Sequence, residues 1–347
     1  MSFREREQRK QFLNFEVKFL IGIETRTSSD RSSFERDRSI IPTKEMVELG
    51  DLPPDCIALI LSQVLATPVD AGRCATFSVA FRAASDSDAV WRNFLPHDLD
   101  LIVSTSSPPP FGPSTRKKDV FLRLCTDPIL IDSDRKSFAL EKWSGKKCYM
   151  VGARDLSIVW GDIPSSLQWS SFHVSRFPEV AELIIVCWLE VRANMETRLL
   201  SADTYYSAYL IFKIVHKNSG IGNQAMGVSI SSGSEVERRD ICLDPDGRLR
   251  QQYQTSQAQS SRAVRSTEEN IRQDQGDGWK EIYLGKFFVN NRPTGEVQVS
   301  LKKMTSGRWK SGLVIQGIEL RPTRIISRQS SQSADRWTFA QRSAEMR

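Results

Sequence analysis

Hydrophobic residues follow two different spacings along this chain of 347 residues. Between residues 52 and 96 they recur at intervals of three and four, as Ile57, Ile60 and Leu61 illustrate, which is the period of an amphipathic helix. Beyond residue 149 the period becomes two, which is typical of strands with one buried face. The pattern therefore predicts a small helical part followed by a larger β part.

The helical part begins at "LPPDCIALILSQVL". Its prolines suit the first turn of a helix, and the negative charge of Asp55 in that turn interacts favourably with the positive end of the helix dipole. The stretches "PVDAGRCATFSVAFRAAS" and "DAVWRNFL" predict two further short helices. So short a unit buries little surface by itself and often completes its core against a partner.

The β part contains several segments with the composition of strands. "GEVQVSL" places Val297, Val299 and Leu301 on one face, whereas "YYSAYLIFKIV" is bulky on both faces and is predicted to be central in its sheet. Short strands, turn residues and little helix together indicate an antiparallel β-sandwich. The main predicted strands are "ELIIVCWLEV" (182–191), "YYSAYLIFKIV" (205–215), "GEVQVSL" (295–301) and "SGLVIQGIEL" (311–320).

Several polar stretches lack any periodic pattern. "STSSPPPFGPSTRKK" is a Pro/Ser linker, and the Gln-rich run at 251–276 predicts a long loop or a disordered insert. Met46 lies just before the first patterned segment, so residues 1–45 are a candidate mis-assigned start, which the intact mass of the native protein would test. The predicted domains are a disordered N-terminal extension (1–48), a helical domain (49–97), a connecting segment (98–135), a β domain (136–322) and a disordered C-terminal tail (323–347).

Composition narrows the cellular location and the kinds of partner that we expect for the protein. The net charge of +6 and pI near 9.0 come largely from Arg/Ser-rich ends, which favours solvated tails over a nucleic-acid surface. The six cysteines show no CxxC spacing, so we expect a reducing compartment without a disulfide framework or metal site. The apolar run "FEVKFLIGI" carries Glu16 and Lys18, so it predicts neither a signal segment nor a membrane span. We expect a cytoplasmic and nuclear protein that binds neither nucleic acid nor membrane.

No motif in the sequence supports catalysis. The three histidines, His97, His173 and His216, have no partner motif, and GxSxG, HExxH and P-loop patterns are absent from the sequence. "GIGNQA" follows a strand but precedes a strand-like segment, so it lacks the context of a dinucleotide site. No spacing links Asp155 with Asp162, or Glu296 with Glu319, as a glycosidase pair. We therefore expect a non-catalytic protein with no catalytic, cofactor-binding or metal-binding residues.

Two parts of the sequence each resemble a known type of protein domain. "LPPDCIALILSQV…DAGRCATFSVAFRAASDSDAVWRNFLP" resembles an F-box, the helical module that binds the Skp1 adaptor of SCF ubiquitin ligases. "KSFALEKWSGKKCYMVGARDLSIVWGDIP", "SRFPEVAELIIVCWLEV", "DGWKEIYLGKFF" and "SGLVIQGIELRP" are similar to the phloem protein 2 (PP2) or Nictaba-like lectin domain. This order resembles the plant F-box proteins of the PP2-B type.

The resemblance implies a fold and a function. The expected fold is α+β and multidomain, with a small all-α F-box followed by a mainly antiparallel β-sandwich of the jelly-roll type. The expected function is that of a substrate receptor, whose F-box binds Skp1, and through it a cullin and RING ligase, while the PP2 domain binds a client protein or glycoprotein. By position, the resemblance implies Skp1 contacts at Leu52, Pro53, Ile57, Ile60, Leu61, Val79, Phe81 and Trp91.

The resemblance also raises the question of sugar binding. Carbohydrate-binding members use two aromatic residues after the first strand and two acidic residues on a later strand. Trp160 and Glu296 match one position of each kind. The second positions fall at Leu167, which has no aromatic face, and at Lys303, which donates hydrogen bonds and accepts none. Trp169 is a candidate for the missing ring, so a GlcNAc-type glycan site at Trp160, Trp169 and Glu296 is possible but incomplete.

Two functions therefore remain open. The first is a receptor subunit of an SCF-type ligase, and the second is a cytoplasmic and nuclear lectin that binds GlcNAc or N-glycans without a ligase. The other tryptophans at positions 143, 188, 279 and 309 are predicted to pack in the core or in turns.

Overall fold

The computed structural model describes residues 52–219, 225–243, 271–273, 278–303 and 309–323. They form two compact units. The helical unit contains residues 52–104, 108–128 and 140–146, and the β unit contains residues 105–107, 129–139 and the described residues from 147 onward. The terminal segments predicted to be disordered lie outside the described residues, apart from Thr323, as does most of the Gln-rich run.

The helical unit has more helices than the sequence pattern predicts. Three short helices follow the first one where two were expected, and two more lie in the segment expected to be a connector. The helices are α1 (Pro54–Val64), α2 (Pro68–Cys74), α3 (Val79–Ser85), α4 (Asp88–Trp91) with a 3₁₀ turn at Arg92–Phe94, α5 (Leu99–Ser104) and α6 (Lys117–Thr126).

Capping residues divide this stretch into separate helices. Thr67, Ser78 and Ser87 precede α2, α3 and α4, and each side chain accepts a backbone N–H of the following first turn. Such caps satisfy donors that have no partner within the helix. The hydroxyl residues at these three positions therefore decide where one helix ends and the next begins.

The core of the helical unit extends past the predicted boundary at residue 97. Trp91 packs against Phe121 of α6 with ring centroids 5.2 Å apart and against Phe94 at 5.6 Å. Phe121 and Leu124 are 1% and 0% exposed. Since α6 supplies these side chains, residues expected to connect two domains are part of the helical core.

The β unit contains two antiparallel sheets. Within the described residues, sheet A has the order β1-β2-β3-β14-β8-β12-β11, with β6 also paired to β14 and β5 paired to β6, and sheet B has the order β10-β9-β13-β7-β4. The strands are β1 (Ile129–Ile131), β2 (Lys136–Leu140), β3 (Lys147–Gly152), β4 (Ser157–Ile158), β5 (Leu167–Ser170), β6 (Val180–Leu183), β7 (Leu189–Glu196), β8 (Thr204–Ser219), β9 (Ala225–Ser232), β10 (Glu235–Cys242), β11 (Ile271–Gln273), β12 (Lys280–Val289), β13 (Glu296–Lys303) and β14 (Ser311–Pro322).

The burial pattern places the core between the sheets. Strand β13 buries Val297, Val299 and Leu301 to 1% exposure or less, in the predicted alternation. Strand β8 lies between β14 and β12, as its bulky composition predicts. Strand β12 contacts both β9 and β10 of the other sheet, so the two sheets form layers around one core.

Two segments differ from the sequence prediction. The run 182–191, expected to be one strand, is divided between β6 of sheet A and β7 of sheet B, because the chain changes sheets at 184–188. In addition, the Gln-rich run contributes β11, which pairs with β12 at the edge of sheet A. None of the helices described is both long and apolar enough to span a bilayer.

Candidate functional site

The eight predicted adaptor contacts do not share one environment. Ile57, Leu61 and Trp91 form part of the core of the helical unit, with 0%, 1% and 5% exposure. The Trp91 indole N–H also donates to the carbonyl of Ser85 at 2.7 Å. These three side chains are in place to support a binding surface, but they do not themselves present one.

The other five predicted contacts face outward to different degrees. Leu52, Ile60 and Phe81 are half-buried, Pro53 is exposed and Val79 is 84% exposed. Helices α1 and α3 contact each other, so their outward side chains belong to neighbouring surfaces. We call these five residues the outer apolar set.

Sequence reasoning missed one exposed apolar residue on this surface. Leu59 of α1 is 63% exposed, although it lies within the predicted helix next to Ile60. The helical spacing could have indicated this exposure, because Leu59 is two residues from Ile57 and therefore lies on the other side of the helix. Large apolar side chains left in water on two contacting helices mark a binding surface.

In the β unit, Trp160 lies just beyond β4 at one end of sheet B. Its indole N–H donates to the carbonyl of Trp188 at 3.1 Å, and the two rings meet edge to face with centroids 5.6 Å apart. Its backbone has a positive φ of 73°, a conformation that side chains other than glycine rarely adopt. Two contacts and this turn hold a half-buried ring in one orientation.

The remaining predicted sugar residues lie on other strands than the one that precedes Trp160. Trp169 lies on β5 of sheet A, where the Arg154 guanidinium stacks 3.8 Å from the ring centroid. Glu296 is exposed and pairs with Glu196 on β7. The backbone beside Trp160 instead bonds Glu190, six residues along the same strand and thus roughly 20 Å away.

The two departures from the family pattern are both buried. Leu167 is 3% exposed at the start of β5. Lys303 is 9% exposed and donates to the carbonyl of Ala225, and its burial lowers the pKa of its ammonium. The family's acceptor position therefore holds an inward-facing donor. The site at Trp160, Trp169 and Glu296 stays a prediction, and Glu296 lies well apart from Trp160 along the strands of sheet B.

The tryptophans predicted to pack in the core or in turns have different outcomes. Trp279 is 2% exposed, and its N–H donates to the carbonyl of Val174 at 3.1 Å. Trp143 and Trp309 are 50% and 60% exposed, so neither is a core residue, and Trp143 lies in the turn at 142–144.

Several titratable groups among the described residues are held by burial or by ion pairs. Burial raises the pKa of Cys125 to about 12 and that of Cys74 to about 11, which keeps both thiols protonated at neutral pH. Asp155 bonds Lys136 at 3.2 Å, and Glu319 is buried in sheet A, whereas Glu296 is exposed in sheet B. Within the described residues no group of three His, Cys, Asp or Glu side chains is placed to hold a metal ion.

Comparison with known proteins first defines the class of the β unit. The sequence profile of the family "Phloem protein 2" matches residues 146–322, which cover most of this unit.

Whole-chain relatives then define the family. The chain is 39% identical over 287 residues to "F-box protein PP2-B10" of Arabidopsis thaliana, covering 81% of this chain and 97% of that protein. It is 37% identical over 283 residues to "F-box protein VBF" of the same plant, covering 78% and 98%. The chain therefore belongs to the plant family of F-box proteins with a PP2 domain, as its sequence predicted.

A solved structure shows a weaker likeness. A family 35 carbohydrate binding module from Clostridium thermocellum matches with 8% identity and a TM-score of 0.27, covering 51% of this chain and 98% of that one. A likeness at this level carries no argument about sugar binding here.

Proposed function

We propose that this protein is the substrate-recognition subunit of an SCF-type ubiquitin ligase. In this proposal its helical unit is the F-box that binds a Skp1-like adaptor, through which a cullin and RING ligase are recruited. The PP2 domain binds the client. The observation that carries the proposal is the exposed apolar surface on α1 and α3. The alignment with relatives named F-box proteins includes the unit that bears this surface.

The physical basis of this proposal is that the helical unit exposes more apolar surface than its own small core can bury. It is small, yet it leaves Val79 and Leu59 largely in water, at a cost in free energy that burial against a partner removes. A groove that accepts apolar side chains from two short helices provides that burial. We assign the direct contacts to the outer apolar set and Leu59, and the support of their positions to Ile57, Leu61 and Trp91.

Co-purification of the full chain with a plant Skp1 adaptor tests this assignment. Replacing both exposed residues, Leu59→Asp and Val79→Asp, should weaken binding at least about a hundredfold, because two charges would be desolvated in an apolar contact. Leu101→Asp is the matched control, since Leu101 is 71% exposed on α5 of the same unit. Equal loss in the control, or no adaptor binding by the unaltered chain, would refute the assignment.

A non-catalytic role accords with the chemistry of the described residues. A ubiquitin thioester requires a reactive thiolate, and burial excludes two of the six cysteines, Cys74 and Cys125, from that role by raising the pKa of each thiol. In this proposal the protein acts as an adaptor and passes no ubiquitin itself.

Its free cysteines also support a reducing location, which we propose to be the cytoplasm and nucleus.

We also infer that the β unit is of the jelly-roll type. Eight strands support this assignment, since sheet A has the order β3-β14-β8-β12 and sheet B the order β10-β9-β13-β7. Along the chain these strands pass repeatedly between the two sheets, as in a double Greek key of eight strands. The predicted domain limits, including a PP2 domain at 136–322, remain part of this proposal.

A second candidate function is glycan binding, alone or as a means of recognising a glycoprotein client. The held, half-exposed ring of Trp160 favours it, because a fixed indole can stack on the apolar face of a sugar. A glycan array probed with the full chain and with Trp160→Ala separates the possibilities. Binding of GlcNAc-type glycans that Trp160→Ala abolishes would support it, and no binding above background would reject it.

A further inference from the structure

The outer face of sheet B is a polar surface that the proposed function does not yet use. In β13 the inward side chains are Val297, Val299 and Leu301, so Gln298, Ser300 and Lys302 point outward. The described outward side chains of β7, β9, β10 and β13 include no aromatic ring. A neutral sugar would have no aromatic ring to stack on here, but hydrogen-bonding side chains are abundant.

The register of the four strands creates one continuous row across this face. Ser300 of β13 pairs with Arg192 of β7 on one side and with Ser229 of β9 on the other. Ser229 in turn pairs with Arg238 of β10. The row is thus Arg192, Ser300, Ser229 and Arg238, and we call it the Arg-Ser row. Adjacent strands lie about 4.8 Å apart, so both arginine side chains can reach a group seated over the two serines.

Ser300 is unusual within this row. Although it belongs to the outward face, it is only 3% exposed, and its Oγ atom has no hydrogen-bond partner among the described residues. Buried hydroxyls in folded proteins nearly always have a partner. This hydroxyl lies at the centre of a hydrogen-bonding face without a partner of its own. Its Oγ atom is also shielded from solvent, so a ligand reaches it only when the side chains that cover it move aside.

The charges around the Arg-Ser row are distributed unevenly. Glu190, in the next row, accepts from Lys302 at 2.9 Å and from Arg192 Nε at 2.5 Å, so one carboxylate faces two cations. At the other end, Arg238 is exposed and makes no ion pair within the described residues, and Asp240 lies beyond it in the neighbouring row. Glu190 thus fixes Arg192 in place, and the centre of the face keeps an excess of positive charge.

We propose that the Arg-Ser row binds a phosphate ester carried by a phosphorylated client protein. Guanidinium groups pair with phosphate oxygens through two parallel hydrogen bonds, and serine hydroxyls donate to the remaining oxygens. Two arginines flanking two hydroxyls provide donors from several directions, which suits a tetrahedral dianion. That the phosphate is carried by a protein rests on the proposed role as a substrate receptor.

Fluorescence anisotropy with the full chain tests this inference. The probe is a labelled peptide pool of random sequence with a fixed central phosphoserine, compared with the same pool carrying serine. The phosphorylated pool should bind more tightly, and inorganic phosphate should displace it. Arg238→Ala should weaken binding at least about tenfold, since a charge-assisted bond is lost. Arg198→Ala is the matched control, because Arg198 is exposed near the end of β7 but pairs with Glu196 outside the row.

Ser300→Ala separates ligand binding from folding. It should weaken binding of the phosphorylated pool several-fold while leaving the thermal unfolding midpoint equal or higher, because it removes an unpaired buried hydroxyl. Equal binding of the two pools would overturn the inference, and so would unchanged affinity in Arg238→Ala. Displacement by glucuronate but not by inorganic phosphate would assign the row to an acidic sugar and overturn it as well.

Adaptor binding, measured on the same preparation, distinguishes the two proposals. A preparation that binds the Skp1-like adaptor but not the phosphorylated pool would refute the Arg-Ser row alone. One that binds the phosphorylated pool without the adaptor would refute the ligase role and leave the row standing as an anion site.

Discussion

At the scale of single residues, Glu319 is a buried carboxylate of the β unit that two guanidinium groups contact. Its side chain is 7% exposed, lies 3.0 Å from Arg176 Nη1 and also bonds Arg321, which in turn bonds Glu281 at 2.7 Å. Burial alone would raise the pKa of Glu319, but the two guanidinium groups outweigh it and lower the pKa. The folded protein therefore holds this carboxylate in its charged form.

We expect Glu319→Gln to destabilise the protein by about 2 kcal/mol at pH 7, because two half-buried cations would lose their buried, charged partner. A depressed pKa contributes stability above the unfolded value near 4.3, and this contribution is lost as pH falls through the folded pKa. The unaltered protein should thus lose stability below about pH 4, and the variant should lose less over that range.

Urea unfolding followed at pH 7 and at pH 3 measures both effects. Glu296→Gln is the control, since Glu296 is exposed on β13 and its replacement should change stability by less than about 0.5 kcal/mol. Equal losses in the two variants at pH 7 would show that the buried pairs do not stabilise the sheet.

The sequence predicted part of the residue-level picture. The resemblance singled out Trp160 as a binding ring and indicated that Leu167 and Lys303 depart from the family's sugar site. It gave Val79 as an adaptor contact together with three residues that lie in the core. Continuing the period of two beyond Leu301 places Lys303 on the inward face, but the pattern does not indicate that Ser300 is buried without a partner. The burial of Ser300 depends on neighbouring strands, and a single strand's alternation carries no information about its neighbours.

At the scale of elements, strand β14 joins several parts of sheet A. It pairs with β8, β3 and β6, and its register shifts between Ile315 and Gly317. A Cβ atom on Gly317 would lie 2.3 Å from the carbonyl oxygen of Val151 and 2.9 Å from Met150 Cε. The close approach of β3 therefore requires glycine at this position.

We expect Gly317→Ala to destabilise the protein by at least about 2 kcal/mol, because the backbone of β3 would have to shift. Gly72→Ala is the matched control, since nothing lies within 4 Å of that added atom in α2. The control should be stabilised by about 0.5 kcal/mol through helix propensity. Urea midpoints measure both, and a neutral Gly317→Ala would contradict the packing of β3 against β14.

Element prediction succeeded where one local pattern dominated. The alternation in β13 and the bulky composition of β8 are local properties, and the structure confirms both. It failed at 182–191, where one hydrophobic run serves two sheets, and at α6, whose apolar spacing did not reveal its packing against Trp91. In both places the partner, rather than the local spacing, decides the structure.

At the scale of the whole molecule, the two proposed activities belong to separate units. The adaptor surface lies in the helical unit, and the Arg-Ser row lies in the β unit. Each ligand should therefore slow amide exchange in its own unit, because bound backbone groups open less often.

Hydrogen–deuterium exchange measures this division directly. A Skp1-like adaptor should protect residues of α1 and α3, and the phosphoserine peptide pool should protect β7, β9, β10 and β13. The serine pool is the control for the second ligand. Adaptor protection concentrated in the strands of sheet B would contradict the assignment of the two surfaces.

The sequence by itself determined the order of a helical part and a β part, the strands with a clear period of two, and the family. These follow from local spacing and from motifs that are contiguous in the chain. Only the tertiary structure decided which predicted contacts are core, that Glu296 lies far from Trp160 along β7, and that four strands align two arginines with two serines. Those facts depend on register and burial between segments distant in sequence, which no local pattern encodes.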